Sequence, residues 1–185
     1  MKKIGLIAIF VAFLTSCAAT WTYDNQNYTT SAQAIEAARA DMRGKLNSVT
    51  PLENAVKGSI LVYTPSVNWS RNAVLVTGAA SEEQIRYIAT VLYYGFYAMA
   101  EGVKKRNIIE TVDIKEFSQR DPLSAPSYDY ILWARVDNPD SSQWMISPGS
   151  DTSSPTPIYT SPISDGGDRI NAFVGSVSEY IAKSK

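Results

Sequence analysis

The chain has 185 residues, 45% of them hydrophobic and 19% charged, with 17 Lys+Arg against 18 Asp+Glu. This balance supports a normal hydrophobic core, and its lack of a basic surplus excludes nucleic acid as an expected partner. There is no histidine, and Cys17 is the only cysteine. A Ser-His-Asp or Cys-His arrangement and an internal disulfide are therefore ruled out, the commonest metal ligand is missing, and no cofactor or metal site is expected.

Lys2 and Lys3 precede an apolar run from Ile4 to Leu14, and small residues, Thr15-Ser16, stand before Cys17. A positive start, a short apolar stretch and small residues before a cut define a signal peptide over 1–16. The run is about half of the roughly 20 residues that a transmembrane helix needs. Leu14-Thr15-Ser16-Cys17 resembles the bacterial lipobox. The resemblance implies diacylglycerol on the Cys17 sulfur, cleavage before Cys17 and acylation of the new amino terminus. The alternative is a non-lipidated signal peptide cut near Ala18 or Ala19. Each buried methylene contributes about 0.8 kcal/mol, so two or three acyl chains hold a protein at a bilayer where a single chain releases it. Lipoproteins with Asp after the cysteine are commonly kept at the inner membrane. Ala18 at that place implies, by the same resemblance, the cell outer membrane, with the domain facing the periplasm. Loss of the signal removes two of the 17 cations and leaves the chain three units negative.

Residues 17–29 are polar apart from Trp21, Tyr23 and Tyr28, and they read as a lipidated tether whose aromatics lie at the membrane or pack on the domain. A single α+β domain is expected over 30–185. Its first helix spans Ser31 to Asn47, with Thr30 and Gln33 as a capping box and Ile35, Ala38, Met42, Leu46 and Val49 along one face. Ser59 to Thr64 reads as a strand stopped by Pro65, and Ala73 to Thr77 as a second short β-like run. A long helix then runs from Glu82 to Arg106, capped by Ser81 and Gln84, with the stripe Ile85, Ile88, Leu92, Phe96, Met99 and Val103. Tyr93-Tyr94-Gly95-Phe96-Tyr97 carries aromatics beyond that stripe, as expected of a helix packed on more than one side or presenting a surface to a partner. Lys104-Lys105-Arg106 suits a helix end, where cations meet exposed carbonyls.

Asn107 ends this helix, and Ile108 to Phe117 alternates as a strand. Tyr128 to Val136 is apolar on both faces, as a strand in the middle of a sheet is. Asp137-Asn138-Pro139-Asp140 turns the chain into a hairpin partner at Gln143 to Ile146. Ser147 to Pro157 is expected to be a mobile loop, and Ile158 to Ser161 an edge strand. Asp168 caps a last helix that buries Ile170, Phe173, Val174, Val177 and Ile181. The expected architecture is a small mixed or antiparallel sheet of about four strands, with a long central helix and two flanking helices packed on it.

In element order, Ser59-Ile60-Leu61-Val62-Tyr63-Thr64-Pro65, the long helix, Thr111-Val112-Asp113-Ile114 and Tyr128-Asp129-Tyr130-Ile131-Leu132-Trp133 resemble the periplasmic lipoproteins that activate penicillin-binding proteins, and their curli-secretion and polysaccharide-export relatives. That resemblance implies a domain that docks onto envelope proteins or oligomerises without catalysis. It assigns no functional residue.

What remains is carboxylate chemistry: Glu82 with Glu83, Glu110, Asp113, Glu116, and Asp137 with Asp140. Glu82 and Glu83 are explained by a helix first turn, and Asp137 and Asp140 by a turn too poor in oxygens for calcium. Gly166-Gly167 lacks the lysine and spacing of a phosphate loop. The expected function is a membrane-anchored, non-catalytic module that binds an envelope protein or its own copies, through Trp69, Tyr93, Tyr94, Tyr97 and Trp144. The alternatives are a glycan or small-molecule binder, its pocket shaped by Trp144 and the Ser147–Pro157 loop, and a carboxylate-dependent hydrolase.

Overall fold

The computed structural model describes residues 21–66, 81–117, 125–138, 141–162 and 169–184. Cys17, Trp69, Asp140, Gly166-Gly167, Asp168 and the run 73–77 lie outside the described residues. The elements in order are β1 (Trp21–Tyr23), β2 (Gln26–Tyr28), α1 (Ser31–Ser48), β3 (Val56–Pro65), α2 (Glu82–Arg106), β4 (Ile109–Phe117), β5 (Tyr130–Asn138), β6 (Ser141–Pro148), β7 (Thr156–Pro162) and α3 (Arg169–Lys183). Five strands form one sheet in the order β4-β3-β5-β6-β7, and β1-β2 is a separate hairpin. The α+β class stands, with a mixed main sheet one strand larger than expected.

β3 pairs in parallel with both β4 and β5, whereas β5-β6 and β6-β7 are antiparallel. Parallel neighbours need a long return connection, and α2 supplies it between β3 and β4. β5 occupies the middle of the sheet, as its two apolar faces require. The register aligns Ile60 with Val112 and Tyr130, and Val62 with Ile114 and Leu132. This row, with Ala134, Trp144 and Ile146, meets Phe96, Met99 and Val103 of α2 and Ile170, Phe173, Val174, Val177 and Ile181 of α3. Each large side chain fully buried there contributes about 1.5–3 kcal/mol. The other face carries a smaller cluster of Phe117, Ile131, Trp133 and Met145, with Tyr63 and Ala125 packed against it.

Two glycines set close approaches. At Gly102 an added Cβ would lie 2.8 Å from Ile170 Cγ2 and 3.0 Å from Val174 Cγ2, so its missing side chain lets α2 meet α3. Gly58 has φ +129°, beside an irregularity in the β3-β4 register. There the Asp129 carboxylate accepts from the Ser59 amide at 2.8 Å and the Ser59 hydroxyl at 3.0 Å.

The helix ends follow the expected chemistry in part: the Gln33 side chain accepts from the Thr29 hydroxyl at 2.7 Å, and Lys105 takes a partner outside its own helix. Thr30 and Ser81 accept from Gln33 N and Gln84 N, and Asn107 takes the left-handed conformation that ends α2. Lys105 does not serve its own helix. Its ammonium donates to Leu46 O at 3.0 Å and Asn47 O at 2.9 Å, at the carboxyl end of α1, and Arg106 donates to Thr50 O.

Two loop expectations are corrected. Residues 21–28, expected within a tether, form the β1-β2 hairpin: Asp24 (φ 48°) and Asn25 (φ 60°) are the two left-handed residues that a type I′ turn demands. Ser147 to Pro157, expected as a mobile loop, is strand at both ends, since β6 runs to Pro148 and β7 starts at Thr156, which leaves 149–155 as the connection. The connection is pinned where Gly149 N donates to Asp129 O at 2.9 Å and Ala125 N donates to Gly149 O at 2.9 Å.

Candidate functional site

α2 leans over the edge strand β4 and turns a run of tyrosines outward. Positions 93 and 97 are one helical turn apart, so their side chains lie along one line of the helix surface. The Tyr93 and Tyr97 rings stack at 6.1 Å with 24° between their planes, and Tyr94 meets Tyr93 edge-on at 5.5 Å. Tyr97 is 40% exposed, the one large hydrophobic side chain so exposed among the described residues. On the α1 side, the Arg39 guanidinium lies 4.7 Å from the centre of the Tyr94 ring, a cation–π contact. Arg39 is paired with Glu36 at 2.8 Å.

Carboxylates hold the phenol hydroxyls. Tyr93 donates to Glu116 of β4 at 2.9 Å, and Tyr97 is hydrogen-bonded to Glu101 one turn further along α2. Burial, then the bond to Glu116, pushes the Tyr93 phenol up to about 12. The bond to Glu101 raises the Tyr97 phenol as well. Both hydroxyls therefore stay protonated near neutrality and act as donors, leaving ring faces and spare carboxylate lone pairs at the surface.

The expected interaction residues divide. Tyr93, Tyr94 and Tyr97 come together on α2. Trp144 is corrected: it is fully buried on the helix-facing side of the sheet, its ring 4.5 Å from Phe173 and 5.9 Å from Phe96. It cannot anchor a partner or shape a glycan pocket, because pairing opposite Ala134 places it on the helix-packed face of the sheet. Glu116 and Glu101 were missed as part of the aromatic site. The signal available was the one-turn step from Tyr97 to Glu101; the Tyr93–Glu116 contact depends on tertiary packing.

The remaining acids are dispersed. Asp113 accepts from the Tyr128 hydroxyl at 2.6 Å, Glu83 from the Ser31 hydroxyl at 3.0 Å, and Asp137 is a β5 residue rather than a turn residue. Among the described residues no group of three or more His, Cys, Asp or Glu could hold a metal ion, and no helix is long and apolar enough to cross a membrane.

Both edges of the main sheet discourage strand addition. β4 carries Glu110, Asp113, Lys115 and Glu116, and β7 carries Pro157 and Pro162, the residue types that blunt an edge. The chain matches no protein-family model, no curated protein and no solved structure.

Proposed function

We propose that this is a cell-envelope lipoprotein, anchored through Cys17 and sorted to the outer membrane, whose periplasmic domain binds another protein or its own copies without catalysis. The tyrosine array of α2 carries the reading. Tyr93, Tyr94 and Tyr97 present adjacent ring faces outside the core, and aromatic residues of this type supply much of the energy of protein interfaces. The hydroxyls are already oriented by Glu101 and Glu116, so little ordering cost remains on binding. Leu14-Thr15-Ser16-Cys17 supplies the anchor in this reading.

The test is a photo-crosslinking residue placed at Tyr97 in cells, with the exposed Glu53 as the control position. The expected result is a discrete adduct from position 97 that weakens when Tyr93 and Tyr94 are changed to Ala, and none from position 53. Equal labelling at both positions, or none at 97, overturns the tyrosine surface. An acyl group absent from Cys17 by mass spectrometry overturns the anchor.

A further inference from the structure

The β1-β2 hairpin begins almost where the lipid would end. Only residues 18–20 separate Cys17 from Trp21. Fully extended, that stretch spans at most about 14 Å. Trp21 itself is fixed to the domain: it is 8% exposed, paired with Tyr28, and its ring meets Tyr87 of α2 edge-on at 5.2 Å. The hairpin is held further along by Tyr87, whose hydroxyl donates to Thr22 O at 2.8 Å, and by Tyr23, whose hydroxyl donates to Asp41 of α1 at 2.7 Å.

The two helices beneath it run the same way. Ser31 at the start of α1 donates to Glu83 at the start of α2, and Lys105 near the end of α2 donates to carbonyls at the end of α1. The base of the hairpin and both helix amino ends therefore share one end of the domain. The carboxyl end of α2 lies a further 37 Å or so away, at about 1.5 Å per residue over its 25 residues.

We propose that the anchor fixes the domain's orientation, with the base of the hairpin and the amino ends of α1 and α2 set against the phospholipid headgroups and the carboxyl ends turned away. This rests on the lipidation of Cys17. The membrane is the occupant because the chain between lipid and fold is too short to reach past it. Charge does not drive the contact. Glu82 and Glu83 are exposed at the near end and Lys104 at the far end, the opposite of what attraction to an anionic surface would select. The domain is close because it is tied close, and a chain without acyl groups has no affinity for the surface.

The experiment uses the full lipidated protein in phosphatidylcholine vesicles carrying a headgroup-labelled acceptor lipid. An acylated Cys17 offers no thiol, so Gln84→Cys and Lys104→Cys each provide one position for a donor dye. These sites are about 30 Å apart along α2. The expected result is energy transfer several-fold more efficient from position 84 than from position 104. A Gly/Ser insertion of about twelve residues between Thr20 and Trp21 should abolish the difference. Equal or reversed efficiencies, or a difference that survives the insertion, overturn the proposed orientation while leaving the anchor intact. Dye uptake by the unsubstituted protein at Cys17 would instead show a free thiol, and would overturn the anchor and the orientation together.

Discussion

Tyr87 holds the first strand of the hairpin in two ways, by an edge-on contact with the Trp21 ring at 5.2 Å and by the bond from its hydroxyl to Thr22 O at 2.8 Å. The two contributions are separable. Tyr87→Phe should cost about 1 kcal/mol, the net worth of one hydrogen bond. Tyr87→Ala should cost roughly 2–3 kcal/mol, because the ring contact and its buried area go as well. Urea unfolding measures both, and limited proteolysis should cut the hairpin near Tyr23 faster in the Ala variant alone. Wild-type stability in Tyr87→Ala would mean that the hairpin is not energetically docked.

Gly102 and Gly44 should respond to alanine with opposite signs. At Gly102 the new methyl meets Ile170 and Val174 at 3.0 Å or less, between two packed helices, and overpacking of this kind costs about 1–3 kcal/mol. At Gly44, exposed in α1 with nothing within 4 Å of an added Cβ, helix propensity favours alanine by about 1 kcal/mol. Thermal melts of the two variants check the pair. A stabilised Gly102→Ala would deny the close approach of α2 and α3.

The aromatic residues separate into core and surface by the same kind of measurement. Trp144→Ala should cost about 3–5 kcal/mol, since it empties a fully buried site between Phe96 and Phe173. Tyr97→Ala should change stability by no more than about 0.5 kcal/mol. If the crosslink at position 97 reports a true surface, Tyr97→Ala will weaken association while leaving the melting temperature almost unchanged.

Tyr93 should make stability depend on pH on the alkaline side. Its phenol sits near 12 in the folded chain and at its ordinary 10.0 when unfolded. Between those values the native state keeps a proton that the unfolded chain has released, so stability falls as pH rises from about 10 to about 12 and is unaffected by this group below that window. Tyr93→Phe should lessen that fall, the rest of which belongs to Tyr23, Tyr87, Tyr97 and Tyr128, whose phenols are raised as well, and Glu116→Gln should move the Tyr93 share toward lower pH by removing the carboxylate charge. Urea midpoints at pH 9 and pH 11 suffice, and identical losses in wild type and Tyr93→Phe would refute the assignment.

How much was legible depended on how local the cause was. The ends of α2 are written in Ser81, Gln84 and Asn107, and they stand where those residues put them. Its apolar stripe was legible through Phe96, Met99 and Val103, yet Ala89, Ala100 and Gly102 are also buried, because small residues face the neighbouring helices without registering as apolar periodicity. The hairpin at 21–28 was missed although Asp24-Asn25 between two short polar-aromatic runs is a type I′ signal; the tether expectation took precedence over it. Trp144 was misplaced because Ser141–Pro148 has no clear alternation, and only pairing with Ala134 decides which face it takes. The Tyr93–Glu116 contact joins residues brought together by the crossover from β3 to β4, which no local pattern announces.

The parallel pairing of β3 also constrains how this protein can fold. On one side Ile60 waits for Val112, and on the other for Tyr130. Until both partner segments are available, an apolar strand is left with at least one open edge, so folding cannot be completed piecemeal as the chain emerges. A chain delivered amino end first should stay assembly-incompetent until the segment Tyr130–Asn138 arrives. Truncations ending between Phe117 and Tyr130 should aggregate rather than form a smaller stable unit.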